Sequence, residues 1–342
     1  MKRLWILFLI ILLAQPLTVR GIDRVGTTSF QFLKLPVGVR GIGMGNAFVA
    51  GAADASAIYW NPAGLGWAKK YEVLLAHINL PADIKYDNIG IALPFSTTIG
   101  AFGLSVGVLH MDDLVVRTAI SPEGTGEVVT ASDIMFSLSY SRLISDRFTF
   151  GVLAKYIREE LANYVSDGVS FDAGVQYQTE FRSMRLGMVI QNFGPDSRFG
   201  GAFNDFRTSS GTGGAVQTRN FESAPLPITF KAGVIADLET MLGMDLGESI
   251  QGNLAGQFEH PGDNKERLNG GVELMFSQRL ALRGGYNFNY DTDRFTVGFG
   301  VMVPIGARNN LRIDYAYADQ SDLNDTSAFL NQPHRFSLAF QF

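Results

Sequence analysis

The sequence contains no cysteine. That excludes disulfide bridges, thiolate metal sites, thiol catalysis and a lipid anchor on cysteine. Charge is also scarce. Asp, Glu, Lys and Arg make up 18% of the 342 residues, against about 25% in a soluble chain. The 28 basic and 33 acidic residues leave a formal charge of −5. The basic residues are spread along the chain, so no nucleic-acid footprint forms. Long apolar runs are missing after the first residues. A bundle of membrane helices needs repeated runs of about 20 apolar residues, which excludes that class. Disorder is excluded by a hydrophobic content of 46%, since disordered chains are poor in apolar residues. In excess are glycine, at 38 residues, and phenylalanine, at 26.

Residues 1–21 read as a secretory signal peptide. Lys2 and Arg3 precede the apolar run from Leu4 to Leu13, a charged region followed by a hydrophobic one of secretory length. Gln15 and Pro16 end the run before it is long enough to span a bilayer. Cleavage is expected between Ala14 and Ile22, with the mature protein outside the inner membrane.

From about Tyr71 the dominant period is two. Phe148, Phe150, Val152, Ala154 and Tyr156 share one parity, and Thr149, Gly151, Leu153 and Lys155 the other. Phe295, Val297, Phe299, Val301 and Val303 alternate likewise with Thr296, Gly298, Gly300 and Met302. Successive strand side chains point to opposite faces. One face is therefore apolar and aromatic-ended, and the other is small, polar or charged. A soluble sandwich alternates too, but these strands are long, and their polar parity carries glycine and charge. The fold expected is all-β: a transmembrane antiparallel barrel of about 14 strands over 71–342, apolar outside and polar inside. Lys155, Asp172, Arg185, Lys231, Glu273, Arg283, Arg312 and Asp314 are expected to face the lumen.

Connection lengths give an independent check, because external loops are longer than periplasmic turns. With a periplasmic amino terminus, an even strand count returns the carboxyl terminus to the periplasm. The long connections 112–129, 161–167, 194–225 and 320–332 then fall outside, and short turns such as Ser145-Asp146 fall inside. At the end of the chain Phe336, Leu338, Phe340 and Phe342 share one face. Such an aromatic closing strand resembles the signal read by the barrel-assembly machinery. The lipid-facing exterior is expected to meet outer-membrane lipid and lipopolysaccharide.

Residues 22–70 do not alternate. Gly41, Gly43, Gly45 and Asn46 open a small-residue stretch; Asp54, Trp60, Asn61, Pro62 and Gly64 follow. Pro62 forces Asn61 out of the helical region. A compact segment before a large barrel has an obvious place, the lumen, where some barrels are plugged by their own chain. We therefore expect 22–70 to form a hatch.

The run Arg40-Gly41-Ile42-Gly43-Met44-Gly45-Asn46-Ala47-Phe48-Val49-Ala50, followed by Ala53-Asp54-Ala55-Ser56-Ala57-Ile58-Tyr59-Trp60-Asn61-Pro62-Ala63-Gly64-Leu65, resembles the opening of the PorV/PorQ family. That family is similar to the FadL group of long-chain fatty-acid and hydrocarbon transporters. The resemblance implies a fourteen-stranded outer-membrane barrel with an amino-terminal hatch. It also implies a link to type IX secretion, where members assist secreted cargo or the surface attachment complex. The FadL-like relatives instead move hydrophobic molecules through the barrel wall.

Other motifs carry less. Gly41-x-Gly43-x-Gly45 lacks the strand and crossover a nucleotide loop needs. Gly103-Leu104-Ser105-Val106-Gly107 matches a nucleophile elbow in letters but sits inside an alternating strand. His77, His110, His260 and His334 have no metal spacing. Asp319, Asp322 and Asp325 read as a solvated acidic loop. No catalytic residue, metal or cofactor is expected. In the 194–225 connection Phe199, Phe203 and Phe206 fall on one helical face, with Phe221 beyond. They are the expected contacts for a partner or ligand at the mouth. Two functions follow: a surface binding and assembly component, or a transporter of hydrophobic small molecules. The charged lumen favours the first.

Overall fold

A computed structural model describes residues 26–81, 83–205, 217–243, 246–247, 249–290, 292–319 and 334–342. The expected signal peptide lies outside these residues. Fourteen strands form one closed antiparallel barrel, each paired with its neighbours along the chain. They are β1 (Glu72–Asn79), β2 (Lys85–Ser96), β3 (Gly100–His110), β4 (Ala131–Ser145) and β5 (Phe148–Leu161). Next come β6 (Tyr164–Gln178), β7 (Arg185–Phe193), β8 (Thr229–Asp237), β9 (Ile250–Pro261) and β10 (Arg267–Phe276). The last are β11 (Leu280–Phe288), β12 (Phe295–Ile305), β13 (Asn309–Ala318) and β14 (His334–Gln341). The ring closes where β1 pairs with β14, from Glu72 opposite Gln341 to Ile78 opposite Arg335. Closure leaves no strand edge, and so no unpaired row of backbone groups in lipid. Among the described residues no helix is long and apolar enough to cross a membrane.

The period-two pattern sorts the side chains. Phe150, Val152 and Tyr156 on β5 are exposed, while Thr149, Gly151, Leu153 and Lys155 between them are buried. Rings collect at both ends of the outward face. At the end with short turns, Phe340, Phe342, Tyr71, Phe95, Phe102 and Tyr140 form a continuous chain of ring contacts. At the other end, Tyr315 meets His334 and Phe336, and Tyr286 meets Phe288. Such girdles flank the apolar band of a membrane barrel.

Connection lengths differ from expectation at one place. Residues 161–167 form no long loop. Leu161 pairs with Tyr164, and Ala162 makes the turn in the left-handed region at φ 53°. Polar side chains tie the two strands together here: the Tyr156 hydroxyl donates to Asp167 on the facing strand at 2.6 Å, and Arg158 bridges Glu160 on its own strand at 2.7 Å. They mark the rim of a hairpin. Longer connections do occur at the same end. In 112–129, Leu114–Val115 pairs with Val128–Val129, and in 194–225, Ala202–Asp205 pairs with Gln217–Asn220. The 320–332 connection lies outside the described residues.

Among the described residues before β1, regular structure is limited to short turns: Gln31–Lys34, Val39–Gly43, Ala57–Trp60 and Pro62–Trp67. The Val39–Gly43 turn packs on β11 to β14, and the Pro62–Trp67 turn on β2 to β6. These are separate arcs of one ring, so the segment runs across the lumen. Its Phe30, Val39, Ile42, Met44, Phe48, Trp60 and Leu65 are fully buried. The apolar core of the molecule thus sits inside the barrel.

Candidate functional site

The inner segment meets the wall backbone to backbone. Gly45 has φ +63°, and a side chain there would come within 2.6 Å of the Gly270 carbonyl and 2.9 Å of the Tyr286 nitrogen. On the wall, a Cβ at Gly187 would lie 2.6 Å from the Val49 carbonyl. Gly174, Gly271 and Gly285 face Asn61, Met44 and Gly45 just as closely. The glycines of the inward parity therefore make room for this segment, as do Gly41, against the Trp60 ring, and Gly64, against the Ala52 carbonyl. Gly43 stands 3.0 Å, from its would-be Cβ, to the Gly298 Cα.

Asn61 joins segment to wall. Its Oδ1 accepts from the Ala63 nitrogen at 3.1 Å, capping the Pro62–Trp67 turn. Its Nδ2 donates to the Val49 carbonyl and, across the lumen interface, to the Val175 and Met188 carbonyls at 3.1 and 3.3 Å. Pro62, at the first position of the turn, needs no hydrogen-bond acceptor.

Charges complete the joint. Arg40 donates to both oxygens of Glu273, at 2.9 and 2.6 Å. Arg283 donates to Glu273 at 2.8 Å and to Asp314 at 2.7 Å. Arg312 bonds Asp314 at 2.9 Å and reaches Asp54 at 3.0 Å and Glu72 at 3.6 Å. Arg40 and Asp54 belong to the segment, and the rest to the wall. Gly300 leaves the space the Arg283 guanidinium fills. A second group lies on the opposite arc: Lys155 donates to Asp172 and Asn192 at 2.9 and 2.6 Å. The Asp172 carboxylate also accepts from the Asn192 nitrogen at 2.8 Å. This occupies the irregular register between Phe171 and Ala173 on the β6–β7 ladder. Lys231 lies over the rings of Tyr59 and Trp60. Arg185 sits apart, near the end with short turns, over the Trp67 ring at 5.1 Å and bonded to Gln178.

The structure thus gathers Glu273, Arg283, Arg312 and Asp314 into one network with Asp54, and Lys155 with Asp172 into another. Arg40, Glu72 and Glu259 escaped sequence reasoning. Arg40 carried a signal, as the only charge between Lys34 and Asp54. Ser105 is buried inside β3 and accepts from Asn88 at 3.0 Å. Among the described residues no group of acidic and histidine side chains could hold a metal ion.

At the loop end, Phe199 and Phe203 do not form a helical face. Phe203 lies in the short strand Ala202–Asp205, and Phe221 follows the facing one. A separation of four is even, so it fits a strand's period as well as a helix's, and pairing with Gln217–Asn220 decides for the strand. Phe221 is ringed by Tyr164, Phe199 and Phe203 at 4.8, 5.6 and 5.1 Å between centroids. Phe206 lies outside the described residues. Phe336, Leu338, Phe340 and Phe342 all face outward, and the Phe342 nitrogen donates to the Tyr71 carbonyl at 3.0 Å.

A closed ring with an apolar, girdled exterior and a polar inner wall is a transmembrane barrel of the outer-membrane kind. The family model described as type IX secretion system protein PorV matches residues 20–215, more than half of the chain. The chain belongs to that family. Solved structures with the same fold include the Ralstonia pickettii toluene transporter TbuX, at 13% identity and TM-score 0.52, covering 89% of this chain and 97% of that one. The CymD monoaromatic hydrocarbon channel has 12% identity and TM-score 0.55, with 89% and 96% covered. A Pseudomonas aeruginosa FadL homologue has 13% identity and TM-score 0.51, with 90% and 98% covered. At these identities the likeness is one of fold. None of the curated proteins matches the chain.

Proposed function

We propose that the protein is a non-enzymatic outer-membrane component of protein secretion of the type IX kind, and that its mouth captures a protein partner. Secreted cargo or another component of the machinery would be that partner. In this reading residues 22–70 are a hatch, the loop end lies outside the cell and both termini lie in the periplasm. The observation that carries the reading is the half-buried aromatic cluster of Tyr164, Phe199, Phe203 and Phe221 on a rim hairpin. A few aromatic anchors carry most of the energy of a protein interface. The ion-paired segment across the lumen supports the same reading, because an apolar cargo would meet buried charge there.

The experiment is a pull-down from detergent extracts with Phe203→Ala/Phe221→Ala. Hot-spot aromatics contribute about 2 kcal/mol or more each, so partner capture should drop at least about tenfold. The heat-modifiable band of the folded barrel should persist, since loop tips tolerate change.

One feature favours transport of hydrophobic molecules instead. An apolar groove of about 580 Å³ on the lipid side of β2 to β6 is backed by Ser105, Ser137 and Lys155, which also border a small cavity in the lumen. The ladder through this patch is unbroken, with Ser105 opposite Ser137 and Ser137 opposite Lys155. If the double variant keeps every partner while a folded barrel carrying it no longer takes up a long-chain hydrophobic probe, the transport reading replaces ours.

A further inference from the structure

The loop end of the lumen holds a polar cavity of about 190 Å³ between the inner segment and β7 to β10. Asn46, Tyr59, Lys231, Glu259 and Arg267 line it, and the exposed Thr292 stands at its edge. Two cations here face one carboxylate. Lys231 Nζ lies 3.8 Å from one Glu259 oxygen, and Arg267 lies 3.6 Å from the other. Both distances exceed hydrogen-bond length. Each cation rests instead on a ring, Lys231 over Tyr59 at 5.4 Å and Arg267 over Tyr290 at 4.3 Å. Four further polar atoms of lining residues are buried without a partner among the described residues: Arg267 Nε, Trp60 Nε1, Asn46 Oδ1 and Asp293 Oδ1.

Neighbouring carboxylates do not balance this positive charge. At the cavity's edge Lys34 already binds Asp263 at 2.8 Å, and Asp293 binds Arg335 at 3.0 Å. Buried charges and donors in native proteins are normally hydrogen-bonded, and an unsatisfied set calls for an explanation. Here the set has a pattern: one positive charge in excess, an unused N–H on Arg267, and an unused acceptor on Asn46 in the same lining. Asn46 holds its acceptor in place at φ 59°, a left-handed conformation that asparagine tolerates better than most residues.

We propose that this cavity binds a small organic monoanion, its carboxylate held by Lys231 and Arg267 and its own hydrogen-bond donor on Asn46 Oδ1. The volume and the polar lining exclude a long acyl chain. A free acylated amino acid and the last residue of a peptide share this chemistry, each with an N–H next to a carboxylate. This inference does not depend on the rim hairpin.

The test is calorimetry on the intact protein in detergent with three probes: N-acetylglycine, triglycine and triglycine amide. The acids should bind and the amide should not. Binding of N-acetylglycine alone identifies a free acid as the ligand, and binding of triglycine alone identifies a peptide end. Lys231→Met should weaken the acid by roughly tenfold to a hundredfold, the range for a lost hydrogen bond to a charged group. Glu259→Gln should tighten it, a gain that damage to the fold could not produce. Equal binding of acid and amide would overturn the proposal. So would an affinity that Glu259→Gln leaves unchanged, or a folded wild-type barrel that binds neither acid.

Discussion

Glu273 is fully buried between two guanidinium groups, Arg40 at 2.6 Å and Arg283 at 2.8 Å. Its worth lies in what its loss would leave behind. Removing one member of a buried ion pair strands the others and costs about 3–5 kcal/mol. We expect Glu273→Gln to lower the temperature at which the heat-modifiable band unfolds, read by gel mobility after graded heating, without changing strand content. Half of this arrangement was legible. Glu273 and Arg283 stand on the inward parity of adjacent strands, and the register sets them opposite each other. Arg40 was not legible as the third member, because 233 residues separate it from Glu273 and no periodicity spans that distance. The glycines of the same parity were visible as a pattern, but only the approach of Met44, Gly45, Val49 and Asn61 explains them.

The inner segment is an element without regular structure of its own. Turns of 4 to 6 residues are far too short to be stable alone, so the wall holds them. One hold lies at the loop end, outside the spanning strands. Asp263, in the turn between β9 and β10, accepts from Thr28 at 2.7 Å and from Lys34 at 2.8 Å. Burial pushes its carboxyl up, but Lys34, Thr28 and Gln31 outweigh burial and hold it below the ordinary carboxylate value. A carboxylate with a lowered folded value contributes stability above its unfolded value and loses it as pH falls through the folded one. The clasp should therefore be intact at neutral pH. It should loosen only in acid, below the ordinary range for aspartate, read as faster amide exchange over residues 28–34. Asp263→Asn should show that faster exchange already at neutral pH. The rim hairpin teaches a related lesson. The Phe199–Phe203 spacing suits two periods, and only pairing with Gln217–Asn220 chooses between them.

For the whole molecule, the decisive property is whether the lumen conducts. The segment contacts separate arcs of the ring and pairs its charges Arg40 and Asp54 with Glu273 and Arg312 of the wall. If it acts as a hatch, planar bilayers holding the intact protein should show no large steady conductance. Deleting 28–66 should produce one wherever the barrel still assembles. A large steady conductance from the intact protein would mean the segment is no plug, and an open-pore reading would gain.

The amino-acid sequence by itself determined the strand number, the inward and outward faces and the closing strand. Those properties follow from a period of two and from turn chemistry, which act between near neighbours along the chain. Tertiary structure alone decided which charges meet, where glycine gives way to a passing backbone, and that the 161–167 connection is a tight hairpin. It also brought Lys231, Arg267 and Asn46 around one cavity. Those outcomes depend on which residues a closed ring brings together across its lumen, and that distance is measured in space and not along the chain.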